Sequence, residues 1–240
     1  MEIKKTKRML KRILRYFNIY TSEEYKVAYN AVKRGIHYRN KPLFNELNKD
    51  VIFIHIPKAA GVSVVKALYG TESSCHAFAS DYLEQNPHRF QHAQVISLVR
   101  NPYSRLTSAY NYLMQGGRCE IDEVWRKLYL SPYKDINDFV QNGLKKAIYE
   151  RAEHFIPQVQ FLYKEDELLV DYVGKVEDIS SFEHHVSNLI GKNIRFSKEN
   201  KSHSLKNSNM LTTESILVIN ELYKQDFESF KYEIVNVGDQ

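Results

Sequence analysis

The chain has 240 residues, of which 43% are hydrophobic, enough for one domain with a sizeable core. Its 17 Tyr and 12 Phe exclude a disordered chain, because disordered segments are poor in aromatic residues. No apolar run approaches the roughly 20 residues that a membrane-spanning helix needs, and we expect no secretory signal, because the N-terminal residues lack an apolar segment followed by small residues. The two cysteines, Cys75 and Cys119, have no metal-ligand spacing and agree with a reducing cytoplasm.

The formal net charge of +5 is concentrated at the N-terminus. Residues 1–15 contain seven basic residues and one acidic residue, so the remaining chain carries a net charge of −1. A nucleic-acid-binding domain normally presents a basic patch, and a nearly neutral body argues against one. We therefore expect no nucleic-acid partner.

The basic N-terminal stretch has the pattern of an amphipathic helix over residues 4–17. The apolar positions are spaced i, i+3, i+4 and i+7: Leu10, Ile13, Leu14 and Phe17. Three interpretations stay open: residues 1–18 contact a membrane peripherally at its inner, cytoplasmic face, dock on a partner, or pack on the body with a solvated basic face. With a second helix predicted over residues 22–34, this stretch forms a helical extension, residues 1–48, before one globular domain, residues 49–240.

The globular domain begins with a strand, a turn and a helix. Residues 51–56 are a short apolar run rich in β-branched side chains, which predicts a buried strand of a parallel sheet. Pro57 ends this strand, and a turn of small residues follows. A helix is predicted over residues 64–69, and Gly70 ends it.

A second unit of the same kind follows. The apolar run over residues 95–99 predicts another strand, and it ends at Arg100. Asn101 suits the N-cap of the next helix and Pro102 its first turn. Two such units predict an α/β fold with a P-loop-like three-layer arrangement, in which helices flank a central parallel sheet.

The rest of the chain gives weaker patterns. We predict a helical connection over residues 120–161, a strand over 169–176 and a helix over 182–190. The polar residues 200–209 are predicted to form a loop. A last amphipathic helix is indicated by Ile216, Ile219, Tyr223, Phe227 and Phe230.

The turn after the first strand has the composition of an anion site. A strand that leads through a glycine-containing turn into a helix brings free backbone N–H groups and the positive end of the helix dipole to one point. Lys58 adds a positive charge there and Ser63 adds a hydroxyl donor. The segment is not a Walker A loop, because the pattern G-x-x-x-x-G-K-[ST] does not occur.

The second unit supplies a matching anion site. Arg100 is predicted at the carboxyl end of its strand, where open α/β sheets bind their ligands. Ser108 follows eight residues later, about two helical turns, and we expect it to share a phosphate with Arg100. The two units together predict a ligand with two separated anionic groups.

These two segments resemble a known family, the sulfotransferases that use 3′-phosphoadenosine 5′-phosphosulfate (PAPS). Residues 55–63 resemble the 5′-phosphosulfate loop: His-Ile-Pro-Lys-Ala-Ala-Gly-Val-Ser. Residues 99–110 resemble the 3′-phosphate motif, including its Arg-to-Ser spacing: Val-Arg-Asn-Pro-Tyr-Ser-Arg-Leu-Thr-Ser-Ala-Tyr. The closer match is to the branch that includes carbohydrate O-sulfotransferases, and weaker similarities follow the family's order over residues 51–232.

The resemblance implies a metal-free site for PAPS and its product 3′,5′-adenosine bisphosphate within a sulfotransferase domain, residues 49–240. Lys58 would stabilise charge on the leaving phosphate, and Arg100 with Ser108 would hold the 3′-phosphate. The implied donor-binding residues are Pro57, Lys58, Ala59, Ala60, Gly61, Val62, Ser63, Arg100, Ser108, Lys201 and Ser202. The last two, in the polar loop, would close over the nucleotide. The family often carries a hydroxyl residue where this chain has Val62, so one side-chain donor is missing.

The acceptor, by the same resemblance, is a hydroxyl group of a carbohydrate or glycolipid, and it needs a base. His76 lies where relatives in this branch keep a histidine, and an imidazole suits proton transfer near neutral pH. His154 is the second candidate, either as a base or as a positioning residue. His55 is interpreted as a packed residue or a wall of the pocket. The other histidines considered have no metal-ligand spacing and are predicted on the surface: His184, His185 and His203.

Two alternatives from other classes stay open, as does the oligomeric state. A P-loop-type small-molecule kinase would need magnesium and an acidic residue near the end of the second strand, and residues 95–99 supply none. A non-catalytic nucleotide-binding or membrane-docked interaction protein would account for Val62 and for the basic N-terminal stretch.

Overall fold

The computed structural model describes residues 43–71, 75–118, 120–196 and 211–236. The two predicted N-terminal helices and the loop with Lys201 and Ser202 lie outside these residues. No helix in the described stretches is long and apolar enough to cross a bilayer.

The described chain alternates strands and helices in its first half and is mainly helical in its second. In chain order the elements are β1 (Val51–Ile54), α1 (Gly61–Tyr69), α2 (Ala79–Gln85), α3 (Pro87–His92), β2 (Gln94–Val99), α4 (Pro102–Met114), α5 (Glu120–Trp125), a π-helical turn (Arg126–Leu130), α6 (Ile136–Asn142), α7 (Leu144–Tyr149), α8 (Val159–Leu162), β3 (Tyr163–Lys164), β4 (Glu167–Leu168), β5 (Tyr172–Lys175), a 3₁₀ turn (Val176–Asp178), α9 (Ile179–Ile190), α10 (Thr213–Leu222) and α11 (Lys224–Ser229).

A parallel sheet with the order β1-β2-β5 forms the centre, and β3 pairs with β4 as a separate antiparallel hairpin. Val51 pairs with Gln94, and Val99 pairs with Lys175. All four residues of β1 are buried, as the continuous apolar run predicts for a strand covered on both faces. The strand that runs through the middle, β2, carries Arg100 at its carboxyl end.

Alternate residues of the strands enter two different apolar clusters. Ile52 and Ile54 pack in a cluster with α2, α3 and α8, whereas Val51 and Phe53 pack in a cluster with α1 and α9. Successive side chains of a strand point to opposite faces, so helices cover both sides of the sheet. Burial of each such side chain contributes about 1.5–3 kcal/mol relative to exposure. The predicted α/β fold with a central parallel sheet between helices is confirmed.

A third apolar cluster is formed mainly by helices and packs along the whole length of α4. It joins α4 with α5, α6, α7, α10 and α11, and Trp125, Phe139 and Phe155 are among its fully buried side chains. The side chains of α4 that enter this cluster include Leu106, Ala109, Tyr110 and Leu113.

Several predicted boundaries differ from the structure. The first strand ends at Ile54, and α1 begins at Gly61 rather than at residue 64, because Ala60 takes a left-handed conformation and starts the helix earlier. The last predicted helix is two helices, α10 and α11, interrupted at Tyr223. Of the histidines predicted on the surface, His184 is exposed and His185 is half-buried, stacked on Tyr172 with 3.7 Å between ring centroids, whereas His203 lies outside the described residues.

Candidate active site

The loop between β1 and α1 holds two non-glycine residues in the left-handed region. Lys58 has φ 67° and Ala60 has φ 58°. This conformation costs about 1–2 kcal/mol for a residue with a Cβ, and such strain is concentrated at functional sites. Ala60 is the N-cap of α1 and has no side-chain oxygen to satisfy the first N–H groups of the helix. The start of this nine-residue helix is therefore suited to binding an anion.

Gly61 is required by a close contact with His55. A Cβ on Gly61 would lie 1.8 Å from Cδ2 of His55, so no larger residue fits without moving the imidazole ring. His55 is 5% exposed, and burial, followed by the neighbouring His76, holds its pKa well below the usual value. The ring is therefore neutral at physiological pH and acts as a wall beside the anion loop.

The side chain of Lys58 lies over an aromatic ring. Its Nζ is 3.8 Å from the centroid of Tyr112 in α4, and the Tyr112 hydroxyl donates a hydrogen bond to Oδ2 of Asp122 at 2.6 Å. Burial and then the nearby Arg100 and Arg118 lower the pKa of Lys58 to about 8, against a raising effect of Asp122. Lys58 is thus an ordered cation that gives up its proton more easily than a surface lysine.

Arg100 links the two predicted anion motifs. Its Nη1 donates to the carbonyl oxygen of Lys58 at 3.4 Å, and its Nε donates to Oγ of Ser104 at 3.0 Å. Burial lowers its pKa, but guanidinium remains charged at neutral pH. Asn101 caps α4 by accepting hydrogen bonds from the N–H groups of Tyr103 and Ser104, as predicted. The structure therefore brings Lys58 and Arg100 to the same edge of the sheet.

The predicted sharing of a phosphate between Ser108 and Arg100 stays a prediction, and a second serine lies closer to Arg100 along the same helix. It lies half-buried in α4, one turn beyond Ser104, and Ser104 is the serine that accepts the hydrogen bond from Arg100. The sequence analysis did not select Ser104, although this serine is part of the 3′-phosphate motif. Ser63 is buried in the first turn of α1, and Val62 beside it is half-buried.

A buried guanidinium joins the anion loop to a distant segment. Arg105 is 1% exposed, and its Nε donates to the carbonyl oxygen of Pro57 at 3.1 Å. Its Nη2 donates to the carbonyl oxygen of Ile156 at 2.8 Å and to that of His154 at 3.4 Å. These bonds fix the position of the loop relative to residues 154–156. Sequence reasoning missed this role, although Arg105 lies within the quoted motif.

A buried carboxylate holds the same segment from behind. Asp226 is fully buried and accepts hydrogen bonds from the backbone N–H groups of Gln158 and Val159, both at 2.9 Å. Gln158 in turn accepts from the backbone N–H of Arg100 at 2.9 Å and donates to its carbonyl oxygen at 2.8 Å. The end of β2 is thereby tied to α8 and α11. The sequence signal for this network was only the weaker family similarity over residues 51–232, which does not single out Gln158 or Asp226.

Three histidines from separate parts of the chain meet beside Lys58. The ring centroids of His55 and His76 are 4.7 Å apart, and those of His76 and His154 are 5.9 Å apart. His154 is 3% exposed, and burial is the main reason that its pKa falls to about 4, so it is neutral. His76 is the most accessible of the three, with 23% of its side chain exposed, and its Nδ1 lies 3.0 Å from Oε1 of Glu153.

The assembled groups suit an anionic ligand better than a cation. Lys58, Arg100 and the backbone N–H groups at the start of α1 are all donors, and they lie in or beside the loop over residues 57–63. They fit a ligand with two anionic groups, one bound near the carboxyl end of β1 and the other near the carboxyl end of β2. Within the described part of the chain, no group of three or more His, Cys, Asp or Glu side chains is arranged to hold a metal ion.

Comparison with known proteins agrees with this chemistry. Searches among curated proteins and among solved structures found no significant match to the chain. A profile of the sulfotransferase family matches residues 42–233, which is most of the chain and includes both anion motifs, the three histidines and the buried Asp226. The chain therefore belongs to the sulfotransferase family.

Proposed function

We propose that this sulfotransferase uses PAPS as its donor and transfers the sulfuryl group to a hydroxyl group of a carbohydrate or glycolipid. The observation that carries the proposal is the meeting of Lys58 and Arg100 at the carboxyl ends of two adjacent parallel strands. A donor with a phosphosulfate at one end and a 3′-phosphate at the other has one anionic group for each cation.

The residues of the anion loop supply the donor contacts in this proposal. Backbone N–H groups over residues 61–63 and the charge of Lys58 bind the 5′-phosphosulfate, and Arg100 binds the 3′-phosphate. Ser104 and Ser108 are one turn apart in α4, the helix that begins just after Arg100, and both are candidates to share the 3′-phosphate. Lys201 and Ser202 stay predictions, since they lie outside the described residues.

PAPS, when bound, supplies a sulfuryl group on a phosphate leaving group. Transfer of this type passes through a loose transition state, so positioning and charge stabilisation provide most of the catalysis. Protonated Lys58 stabilises the negative charge that grows on the leaving phosphate. A neutral imidazole accepts the proton of the acceptor hydroxyl, and His76 is the better candidate because His154 is almost completely buried.

The proposal of a carbohydrate acceptor rests on the resemblance to the branch that includes carbohydrate O-sulfotransferases. It also rests on the histidine placed to act as a base toward an alcohol. Cytoplasmic location and membrane contact through residues 1–18 belong to the same proposal. Removal of residues 1–18 tests the contact by co-sedimentation with anionic vesicles. Unchanged sedimentation after the deletion would remove the basis for a membrane role.

Thermal unfolding with added nucleotides tests the donor directly. We expect 3′,5′-adenosine bisphosphate to stabilise the protein by about 2.7 kcal/mol at 100 times its Kd, and AMP or magnesium-ATP to stabilise it much less. Arg100→Ala should abolish the selective response. Arg195→Ala, which removes a guanidinium that is 76% exposed and paired with Glu183 in α9, should retain it.

The alternatives predict different outcomes. A larger response to magnesium-ATP would favour a small-molecule kinase. If the bisphosphate binds but radiolabelled PAPS transfers no label to any of a panel of polysaccharides and glycolipids, a non-catalytic nucleotide-binding protein is the better description.

A further inference from the structure

A carboxylate lies among the three histidines of the candidate site. Oε1 of Glu153 is 3.0 Å from Nδ1 of His76 and 4.0 Å from Nδ1 of His154. Only 12% of its side chain is exposed, and its charge also acts on the buried His55. Glu153 was not among the residues that the sequence analysis selected.

The short contact determines which ring nitrogen of His76 carries the proton. An ionised carboxylate only accepts hydrogen bonds, so the nitrogen that faces it at 3.0 Å must be the donor. In a neutral imidazole one nitrogen is a donor and the other an acceptor. With the proton on Nδ1, the Nε2 atom of His76 has a free lone pair.

The other charged and titratable groups around His76 do not provide the same contact. Burial keeps His55 and His154 uncharged, and the cation Lys58 acts on both of these rings. Oδ1 of Asp122 lies 3.8 Å from Nε2 of His154. Among the described residues, Glu153 is therefore the carboxylate placed to stabilise an imidazolium at His76.

The backbone around Glu153 is held rigidly. The N–H of Phe155 donates to the carbonyl oxygen of Ala152 at 2.8 Å, which forms a tight turn around Glu153. The buried Arg105 holds the next carbonyl oxygens, those of His154 and Ile156. The carboxylate is thus presented to His76 from a segment that is fixed to the anion loop.

We propose that Glu153 is a positioning residue that holds His76 in the tautomer whose Nε2 accepts the proton of the acceptor hydroxyl. This role in turnover rests on the proposed function. As the acceptor oxygen forms its bond to sulfur, the bond from sulfur to the leaving phosphate oxygen breaks, and that oxygen keeps the electron pair beside Lys58. The acceptor O–H bond breaks, its proton moves to Nε2, and the resulting imidazolium donates its Nδ1–H to Glu153.

The tautomer can be measured without any substrate. Long-range ¹H–¹⁵N spectra of the ¹⁵N-labelled protein, with His76 assigned through His76→Gln, distinguish a protonated Nδ1 from a protonated Nε2 when the ring is neutral. We expect protonated Nδ1 and bare Nε2 in the wild type, and a shift toward the other tautomer in Glu153→Gln. A wild-type ring with a protonated Nε2, or a Glu153→Gln spectrum identical to the wild type, would overturn the proposal.

Kinetics provide the second readout. In Glu153→Gln we expect kcat for sulfuryl transfer to fall on the order of 100-fold, with the KM for PAPS nearly unchanged. Glu150→Gln is the matched control: it removes a carboxylate three residues away that accepts a hydrogen bond from the Tyr129 hydroxyl at 2.7 Å, and kcat should stay the same. Equal losses in both variants would contradict a specific role for Glu153.

The two readouts separate the two proposals. If the wild type transfers no sulfuryl group to any acceptor, the proposed function fails, whereas the tautomer spectrum still decides the role of Glu153. If Glu153→Gln does not fold, the wild-type spectrum by itself tests the role of Glu153: a protonated Nδ1 of His76 supports it, and a protonated Nε2 overturns it.

Discussion

Lys58 and Tyr112 form a cation–π contact, with Nζ 3.8 Å from the centre of the ring. The contact joins the loop after β1 to the third turn of α4, and Asp122 fixes the ring by accepting a hydrogen bond from its hydroxyl. Tyr112 also stacks on His154, with 5.5 Å between centroids. One aromatic ring therefore contacts both Lys58 and the histidine cluster, and its loss should affect both.

Replacement of Tyr112 tests whether the ring orders Lys58. Tyr112→Leu removes the cation–π contact, which is worth about 0.5–2 kcal/mol depending on solvation, so we expect the rate of sulfuryl transfer to fall about tenfold. Tyr112→Phe keeps the ring and loses only the bond to Asp122, and the rate should stay within about threefold of the wild type. Similar losses in both variants would show that the hydroxyl, not the ring, is what matters.

The lowered pKa of Lys58 predicts a basic limit to activity. In the proposed mechanism Lys58 acts in its protonated form, and burial lowers its pKa to about 8, so kcat/KM should fall as the pH rises above that value. Lys58→Arg removes this titration, because guanidinium stays charged throughout the range, and it should flatten the basic limb at a lower overall rate. A basic limb that is unchanged in Lys58→Arg would assign it to another group.

The same pKa predicts how stability depends on pH. The folded-state pKa of about 8 is below the unfolded value of 10.5, so the unfolded chain binds the proton of Lys58 more tightly. The contribution of Lys58 to the free energy of unfolding therefore rises with pH between these two values. Lys58→Met should lose this rise when unfolding is followed in urea at pH 7.5 and 9.5, whereas Lys224→Met, at a position 68% exposed, should keep it.

Gly61→Ala tests the contact between the anion loop and His55. The new Cβ would overlap the His55 ring, so we expect a loss of about 1–3 kcal/mol in unfolding free energy together with weaker nucleotide binding. Gly191→Ala is the contrast: Gly191 has φ +65° and no heavy atom within 4 Å of the added Cβ, so the loss should be backbone strain of about 1 kcal/mol, with binding unchanged. Normal binding by Gly61→Ala would show that the loop tolerates a displaced His55.

Val62→Thr tests the missing hydroxyl of the anion loop. Val62 is half-buried in the first turn of α1, and a threonine of similar shape would place a hydroxyl donor there. One added hydrogen bond to a phosphate contributes about 1–2 kcal/mol, so the Kd for 3′,5′-adenosine bisphosphate, measured by calorimetry, should fall about tenfold. Val62→Ala adds no donor and should not tighten binding. An unchanged Kd in Val62→Thr would mean that this position does not face the nucleotide.

The sequence predicted those features of the fold that depend on residues close together in the chain. The apolar runs of β1 and β2, the Asn101–Pro102 helix start and the glycine that ends α1 are confirmed, because hydrophobic periodicity and capping depend on neighbours in the chain. The break at Tyr223 was missed because the apolar pattern continues through it. The tyrosine is buried, and its hydroxyl donates to the carbonyl oxygen of Phe155 at 2.7 Å, a contact that no local pattern indicates.

The sequence by itself determined the α/β fold class, the family, and the two motifs that carry Lys58 and Arg100, since each is a local run of residue types. Only the tertiary structure decided which side chains from distant parts of the chain contact these motifs and the histidines beside them. Glu153 reaches His76 across 77 residues, and Asp226 reaches Gln158 across 68. Such pairs form because packing of helices around the sheet brings distant segments within hydrogen-bond distance. A linear sequence contains the partners, but their separation in space is set only by that packing.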